Sequence, residues 1–213
     1  MDLENPTNIL AVGKKKSGKT NLIKHLILRN TLYNQYFQFG MVFTNTKFDE
    51  EYEYLPDRYV IDGFDMEKFE QYRRHVQDME EIHPNFLIFD DLVAVVKDQP
   101  EFVNFICNHR HYKTSVIVSA QYFRKGVPTA LRENTDVGFF FRSMNEATQK
   151  SLWEAYGGVV PKFKEWKAVF LENTKQKYSC IRYMGDGEMD RDEIFQVYMA
   201  PDMSKGRKYK IEY

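Results

Sequence analysis

The chain of 213 residues has few cysteines and no long apolar run. Its two cysteines, Cys107 and Cys180, are too few for a disulfide framework and predict free thiols in a reducing compartment. No apolar stretch approaches the ~20 residues of a transmembrane helix. No basic segment followed by an apolar one marks a signal peptide near Met1. These absences predict a globular, soluble protein without a membrane span.

An excess of one charge sign is also absent, because 30 basic residues face 31 acidic ones. A protein that coats nucleic acid by bulk charge is normally more basic, so any contact with DNA would need a local patch. The length suits one well-buried core rather than two. We therefore expect a single domain over residues 1–213.

What the sequence does contain, close to its start, is the phosphate-loop pattern G-x-x-x-x-G-K-[ST]. The apolar run Ile9–Val12 precedes it and predicts a buried strand, and apolar residues at helical spacing follow it as far as Asn30. In this context the backbone N–H groups of the loop and the helix N-terminus point at phosphate oxygens. The predicted nucleotide-binding residues are Gly13, Lys14, Lys15, Lys16, Ser17, Gly18, Lys19 and Thr20.

A second signal follows about 70 residues later, where Phe86–Phe89 is apolar and two carboxylates come directly after it. This order predicts a Walker B strand whose acids emerge at the carboxyl edge of a parallel sheet. We predict that Lys19 contacts the β- and γ-phosphates of the bound nucleotide, that the Thr20 hydroxyl holds Mg²⁺, and that Asp90 holds the Mg²⁺ coordination sphere through water. Asp91 is then positioned to act as the general base on the attacking water.

The remaining pattern alternates apolar strands with helical stretches, which predicts an α/β fold with a mainly parallel sheet flanked by helices. Further strands are expected over 37–43, 58–61, 114–119 and 137–141, and helices over 65–82, 102–110 and 145–156. Strand 114–119 is expected to lie between the Walker A and Walker B strands, with Gln121 beside the γ-phosphate. Beyond a core of residues 8–142, a C-terminal extension (143–213) is expected to add a helix and a β-hairpin of strands 168–171 and 179–183.

The order of these motifs resembles the viral genome-packaging branch of the FtsK–HerA superfamily, found in poxvirus-like large DNA viruses and related viruses. The specific elements are the doubled aspartate at 90–91, the segment Asn108–Tyr112, and the strand that ends in Gln121. Two departures are Asp91, where cellular relatives mostly carry glutamate, and the unusually basic Lys14–Lys16.

The resemblance implies a ring-shaped, hexameric ATPase that moves double-stranded DNA into a preformed capsid. It implies capsid vertex or portal-like proteins as further partners, and a location at the viral assembly site in the host cytoplasm or at a virion vertex. Such a motor also uses an arginine that acts across the subunit boundary. Among Arg110, Arg132 and Arg142 we expect Arg110, because its Asn-x-Arg-His-Tyr setting puts it at a helix end outside the subunit's own phosphate site.

Other interpretations of the P-loop stay open. A nucleotide kinase would need an acceptor pocket and an arginine-rich lid, and a GTPase switch would need an Asn-Lys-x-Asp motif; neither is recognisable. A regulatory subunit without turnover is disfavoured by Asp91 and Gln121.

Three other stretches have two interpretations each. Cys107, His109 and His111 could indicate a zinc site, but ordinary packing is favoured because His109 would point away from the helix face of the other two. The basic cluster Lys205–Lys210 could contact DNA phosphates or could be a frayed terminus. The acidic, aromatic stretch 49–56 could touch a neighbouring subunit, although a solvated loop anchored to the core is favoured.

Overall fold

The computed structural model describes residues 1–47, 51–185, 194–203 and 210–211. One sheet of eight strands, in the order β3-β2-β4-β5-β1-β6-β7-β8, runs through these residues. Strands β1 to β6 pair in parallel, whereas β6–β7 and β7–β8 are antiparallel. The strands are β1 Asn8–Val12, β2 Phe39–Thr44, β3 Val60–Asp62, β4 Asn85–Asp90, β5 Thr114–Ala120, β6 Val137–Phe141, β7 Ser179–Met184 and β8 Phe195–Met199.

Helices cover both faces of this sheet, as the alternating pattern predicts. They are α1 Lys19–Leu28, α2 Met66–Gln77, α3 Val93–Val96, α4 Pro100–Asn108, α5 Phe123–Gly126, α6 Thr129–Glu133, α7 Glu146–Tyr156 and α8 Phe163–Asn173. A π-helical turn, Arg29–Tyr33, extends α1, and 3₁₀ turns occupy Asp57–Tyr59 and His109–Tyr112. In the described residues no helix is both long and apolar enough to cross a membrane.

Every residue of the central strands β1, β4, β5 and β6 is buried. Alternate residues of these strands face two separate hydrophobic clusters. On one face Leu10 and Phe89 pack with α2 and α4, and on the other Ile9 and Ile88 pack with α1. Burial on both faces explains why the apolar runs Ile9–Val12, Phe86–Phe89 and Val116–Val118 within these strands are recognisable in the sequence.

The predicted α/β architecture is confirmed, and β5 lies between β1 and β4 as expected. The predicted strand at 168–171 is wrong, because these residues belong to α8. Their apolar run is helical because Trp166 and Phe170 recur one turn apart, are both buried, and stack with ring centres 4.9 Å apart. The C-terminal hairpin exists, but β7 forms it with β8 instead. The single domain over 1–213 stays a prediction.

Several predicted boundaries also differ. Helix α2 ends at Gln77 rather than at 82, and β3 begins at Val60 because Arg58 lies in a 3₁₀ turn. Asn30 does not end the first helix. Its buried amide accepts from Leu3 N and donates to Leu26 O, so it anchors the N-terminal segment to α1.

Candidate functional site: a phosphate loop with two carboxylates

The P-loop leaves β1 at the carboxyl edge of the sheet and leads into α1. Gly13 N donates to Ala120 O (3.0 Å), which holds the start of the loop against the end of β5. A Cβ on Gly13 would lie 2.4 Å from Ser17 Oγ and 2.7 Å from Phe141 Cβ. Gly18 has φ +114°, and a Cβ there would lie 2.7 Å from the ring of Tyr178. Both glycines are therefore required for close packing, and Gly18 also for its backbone conformation.

Lys19 is the first residue of α1, and its side chain is buried. Its Nζ donates to Gly13 O (3.0 Å) and lies 3.5 Å from Asp91 Oδ1. The ammonium thus bridges the carbonyl at the start of the P-loop and the second Walker B carboxylate. Because phosphate oxygens bind at the same loop, they would compete with Asp91 for this ammonium.

Asp90 ends β4 and is buried, with both carboxylate oxygens hydrogen bonded. Tyr52 Oη donates to Oδ2 (2.8 Å), and Ser119 Oγ donates to Oδ1. Burial raises the pKa of Asp90, and the two hydroxyl donors act in the opposite direction. The Tyr52 and Ser119 hydroxyls therefore fix the orientation of the Asp90 carboxylate. Burial, in contrast, disfavours its charged form.

Asp91 follows β4 with a left-handed backbone, φ +54°. This conformation is uncommon outside glycine and clusters at functional sites. Asp91 N donates to Ser119 Oγ (3.0 Å), and Gln121 Nε2 donates to Asp91 Oδ2 (2.9 Å). The side chain is 28% exposed, in contrast to that of Asp90. The turn therefore points the second carboxylate at Lys19 and Gln121, while the first stays inside.

Residues from four parts of the chain line one cleft of ≈ 600 Å³ at this edge. This volume lies within the range of about 300–1,000 Å³ that is typical of small-molecule sites. The lining residues are Lys15, Lys16, Gly18, Lys19, Thr20, Asn21, Thr46, Glu51, Asp90, Asp91, Lys177 and Tyr178. Thr20 and Asp90 both line the cleft and carry oxygen atoms of the kind that Mg²⁺ prefers, so the cleft fits the predicted metal.

The three candidate arginines lie in different places. Arg110 lies at the amino edge of the sheet, where its Nη2 donates to Asp136 Oδ1 (2.6 Å), and its side chain is 69% exposed. Arg132 Nη2 donates to the Thr129 hydroxyl within α6. Arg142 follows β6 at the carboxyl edge, and its Nη1 donates to Leu171 O. Arg110 thus lies outside its own subunit's cleft, as a residue that acts in trans must, but its role stays a prediction.

Besides Asn21, Thr46 and Glu51 of the cleft lining, four residues around the site are not recognisable in the sequence. Tyr52 lies in the acidic, aromatic stretch 49–56, for which a solvated loop is favoured and of which residues 49–50 lie outside the described part. Ser119 is predictable only as part of the strand 114–119, although a hydroxyl next to the end of a central strand is a usable signal. Lys177 ends the expected hairpin turn and Tyr178 follows it, and no local pattern links either residue to the P-loop.

The residues of the zinc interpretation do not converge. Cys107 is exposed, whereas His109 is buried with Nδ1 2.7 Å from Thr114 O. Burial lowers the pKa of His109, which favours the neutral ring. Within residues 1–47, 51–185, 194–203 and 210–211, no group of three or more His, Cys, Asp or Glu side chains could hold a metal. Of the basic cluster Lys205–Lys210, residues 205–209 lie outside the described part.

No model of a known protein family matches the chain. Two proteins of invertebrate iridescent viruses are similar to this chain in sequence. Uncharacterized protein 075L of invertebrate iridescent virus 6 is 28% identical over 201 residues, which cover 89% of this chain and 74% of the relative. Uncharacterized protein 088R of invertebrate iridescent virus 3 is 27% identical over 204 residues, covering 92% of this chain and 76% of that protein.

Solved structures with the same fold include the genome packaging NTPase B204 of Sulfolobus turreted icosahedral virus 2 in complex with AMPPCP. It superimposes with a TM-score of 0.68 at 16% identity and covers 93% of this chain and 100% of B204. The chain has the fold of a viral packaging NTPase. The conjugation coupling protein TcpA of pCW3 shares the fold with a TM-score of 0.60 at 13% identity, over 93% of this chain and 61% of TcpA. The resemblance noted in the sequence is thus confirmed at the level of the fold.

Proposed function

We propose that this chain is an ATP-hydrolysing motor that moves double-stranded viral DNA into a preformed capsid. The observation that carries the proposal is the connected set of Lys19, Asp91 and Gln121 beside the P-loop. These side chains come from α1 and from the residues directly after β4 and β5. Such convergence is what hydrolysis of a bound triphosphate requires. Two further observations support the proposal. The chain shares its fold with B204, a genome packaging NTPase, and its two sequence relatives are viral proteins.

The proposed reaction begins with phosphate binding at the P-loop and the N-terminus of α1. When the triphosphate oxygens bind Lys19, Asp91 loses its contact with the ammonium and becomes free to accept a proton. Mg²⁺ held by Thr20 and Asp90 would supply charge neutralisation for the phosphate oxygens.

Hydrolysis then needs a positioned water. Gln121 can accept a hydrogen bond from this water through its carbonyl while its amide donates to Asp91 or to phosphate. Water oxygen attacks the γ-phosphorus as the bond to the bridging oxygen breaks, and Asp91 accepts the proton. ADP and phosphate leave. The buried donors on Asp90 keep the first carboxylate out of this proton transfer.

The motor further requires assembly and DNA contact. We propose a hexameric ring in which Arg110 of one subunit reaches the phosphate site of the next. Capsid vertex or portal-like proteins would be the docking partners at the viral assembly site in the host cytoplasm. Because the overall charge is balanced, DNA contact would use a local basic patch.

One measurement tests the proposal directly. NTP turnover is measured with and without double-stranded DNA, together with the native mass of the same sample. We expect turnover stimulated by DNA and a mass that corresponds to a ring. Turnover that DNA leaves unchanged but that a nucleoside acceptor increases would instead indicate a nucleotide kinase.

A further inference from the structure

The segment between α8 and β7 reaches the P-loop because β7 runs antiparallel to its neighbour. Cys180 pairs with Phe141, so β7 begins at the carboxyl edge of the sheet, where β1 and β6 end. The ring of Tyr178 lies against Gly18, closely enough that a Cβ on this glycine would be 2.7 Å from it. Lys177 and Tyr178 line the same cleft as Lys19 and Thr20.

The sheet order places this segment opposite the hydrolytic residues. Asp91 and Gln121 follow β4 and β5, on one side of β1, whereas Tyr178 precedes β7, on the other side. If the γ-phosphate lies beside Asp91, a nucleotide on the P-loop must extend from that end across the loop. Its ribose and base then approach the side of β6 and β7.

The segment is held in place by contacts at both ends. Arg142 Nη1 donates to Leu171 O (2.7 Å), which ties the last turn of α8 to the end of β6. Ser179 N and Oγ both donate to Gln176 O, at 3.1 and 2.7 Å. Tyr178 has φ +67°, a conformation that is rare for a bulky residue and occurs at ligand clamps.

The chemistry of the pair suits a nucleotide. The Tyr178 side chain is partly exposed, and Lys177 Nζ lies 4.5 Å from the centre of its ring. The hydrogen bond with Tyr178 raises the pKa of Lys177 above the ordinary lysine value, which already lies far above neutral pH. An aromatic face beside an exposed cation offers a stacking surface and a partner for a phosphate.

We propose that Tyr178 and Lys177 recognise the nucleoside end of the bound nucleotide. Tyr178 stacks against the ribose or base, and Lys177 contacts the α-phosphate. The inference rests on the proposed nucleotide-binding function and extends it to the C-terminal part of the chain. Because every base has a π face, this contact contributes similarly to ATP and GTP affinity.

The experiment compares ligands with and without a nucleoside. Binding of ATP, GTP and inorganic tripolyphosphate is measured by calorimetry on the wild-type chain, Tyr178→Ala, Tyr178→Phe and Lys177→Met. We expect Tyr178→Ala to weaken ATP and GTP about tenfold and to leave tripolyphosphate unchanged, and Tyr178→Phe to keep most of the nucleotide affinity. Lys177→Met should weaken both nucleotides about fivefold, and less so at high salt. Tripolyphosphate binding serves as the folding control for the two Tyr178 variants. Lys177→Met should weaken tripolyphosphate as well, because this ligand also places a phosphate beside Lys177, so thermal unfolding is the folding control for that variant.

The matched control is Tyr33→Ala. This tyrosine is 65% exposed at the far end of the first helix, so its loss should leave all three affinities unchanged. Equal weakening of tripolyphosphate and ATP by Tyr178→Ala would overturn the inference, because Tyr178 would then only support the P-loop. Unchanged ATP affinity would also overturn it. A wild-type chain that binds none of the three ligands would contradict the proposed function itself.

Discussion

The two edges of the sheet carry similar charged clusters but use them differently. At the amino edge Asp136 accepts from Arg110 (2.6 Å) and from Asn8 N (2.7 Å), which fastens the starts of β1 and β6. At the carboxyl edge Asp91 contacts Lys19 and Gln121, beside a glycine loop. The amino edge even has the larger cleft, ≈ 880 Å³ against ≈ 600 Å³.

Neither an ion pair nor cavity size therefore distinguishes a reactive edge from a structural one. The distinguishing feature is the backbone. At the carboxyl edge a glycine loop and the N-terminus of α1 provide N–H groups and a positive partial charge for an anion. Parallel strands bring these groups and the acids of β4 to the same edge. Substitutions at the two edges of the sheet should therefore differ in their effect on turnover.

The largest effect is expected for a substitution of Arg110 at the amino edge. It would show that this edge also takes part in the reaction. If Arg110 acts across the subunit boundary, Arg110→Ala should lower turnover by about 10³–10⁵. Mixing inactive Arg110→Ala subunits with inactive Lys19→Ala subunits should restore part of the activity, because an intact P-loop can then face an intact arginine. No recovery in mixtures shown to co-assemble would leave Arg110 with only its Asp136 ion pair and would move the prediction to Arg132.

At the carboxyl edge, Asp91→Asn should lower turnover by about 10²–10⁴ while ATP binding persists. The substitution keeps the shape and the hydrogen bond from Gln121 but removes the proton acceptor. Lys19→Ala should abolish nucleotide binding instead, so calorimetry and a turnover assay separate the two roles. Asp57→Asn, at an exposed ion pair with Lys47, is the control that should change neither. Near wild-type turnover of Asp91→Asn would refute the assignment of the base.

A smaller effect is expected for Gln121, whose amide couples Asp91 to the γ-phosphate in our proposal. Gln121→Ala should keep ATP affinity within several-fold and lower DNA-stimulated turnover by about 10²-fold, as for other transition-state donors. Gln77→Ala is the counterpart at the amino edge, where the amide donates to Tyr112 Oη (3.2 Å), and it should preserve turnover. Parallel loss of affinity and turnover in Gln121→Ala would indicate a structural role.

The smallest effect concerns two buried tyrosines at opposite ends of β4. Tyr52 donates to Asp90, and Tyr72 donates to Asn85. We expect Tyr52→Phe and Tyr72→Phe each to lower the free energy of unfolding by about 1–3 kcal/mol, measured by urea denaturation. Only Tyr52→Phe should also raise the Mg²⁺ concentration needed for half-maximal turnover and weaken Mn²⁺ binding, because only Tyr52 orients a metal ligand. An unchanged metal requirement would show that the Tyr52 hydroxyl serves stability alone.

The nature and order of the core elements could be predicted from local patterns. The strands β1, β4 and β5 are buried on both faces, so each contains an uninterrupted apolar run that is visible without a structure. The spacing of the P-loop and the acids directly after β4 determined where phosphate and metal chemistry would lie. These features are local because a single strand, turn or helix start produces each of them.

Tertiary structure alone decided which distant side chains complete the site. Tyr52 and Asp90 are 38 positions apart, and Tyr178 reaches Gly18 only because β7 reverses direction beside β6. Residues 168–171 form a helix rather than a strand because the stacked, buried pair of Trp166 and Phe170 needs helical spacing. A short apolar run has the same local preference in either conformation, so packing against the rest of the chain decides its structure.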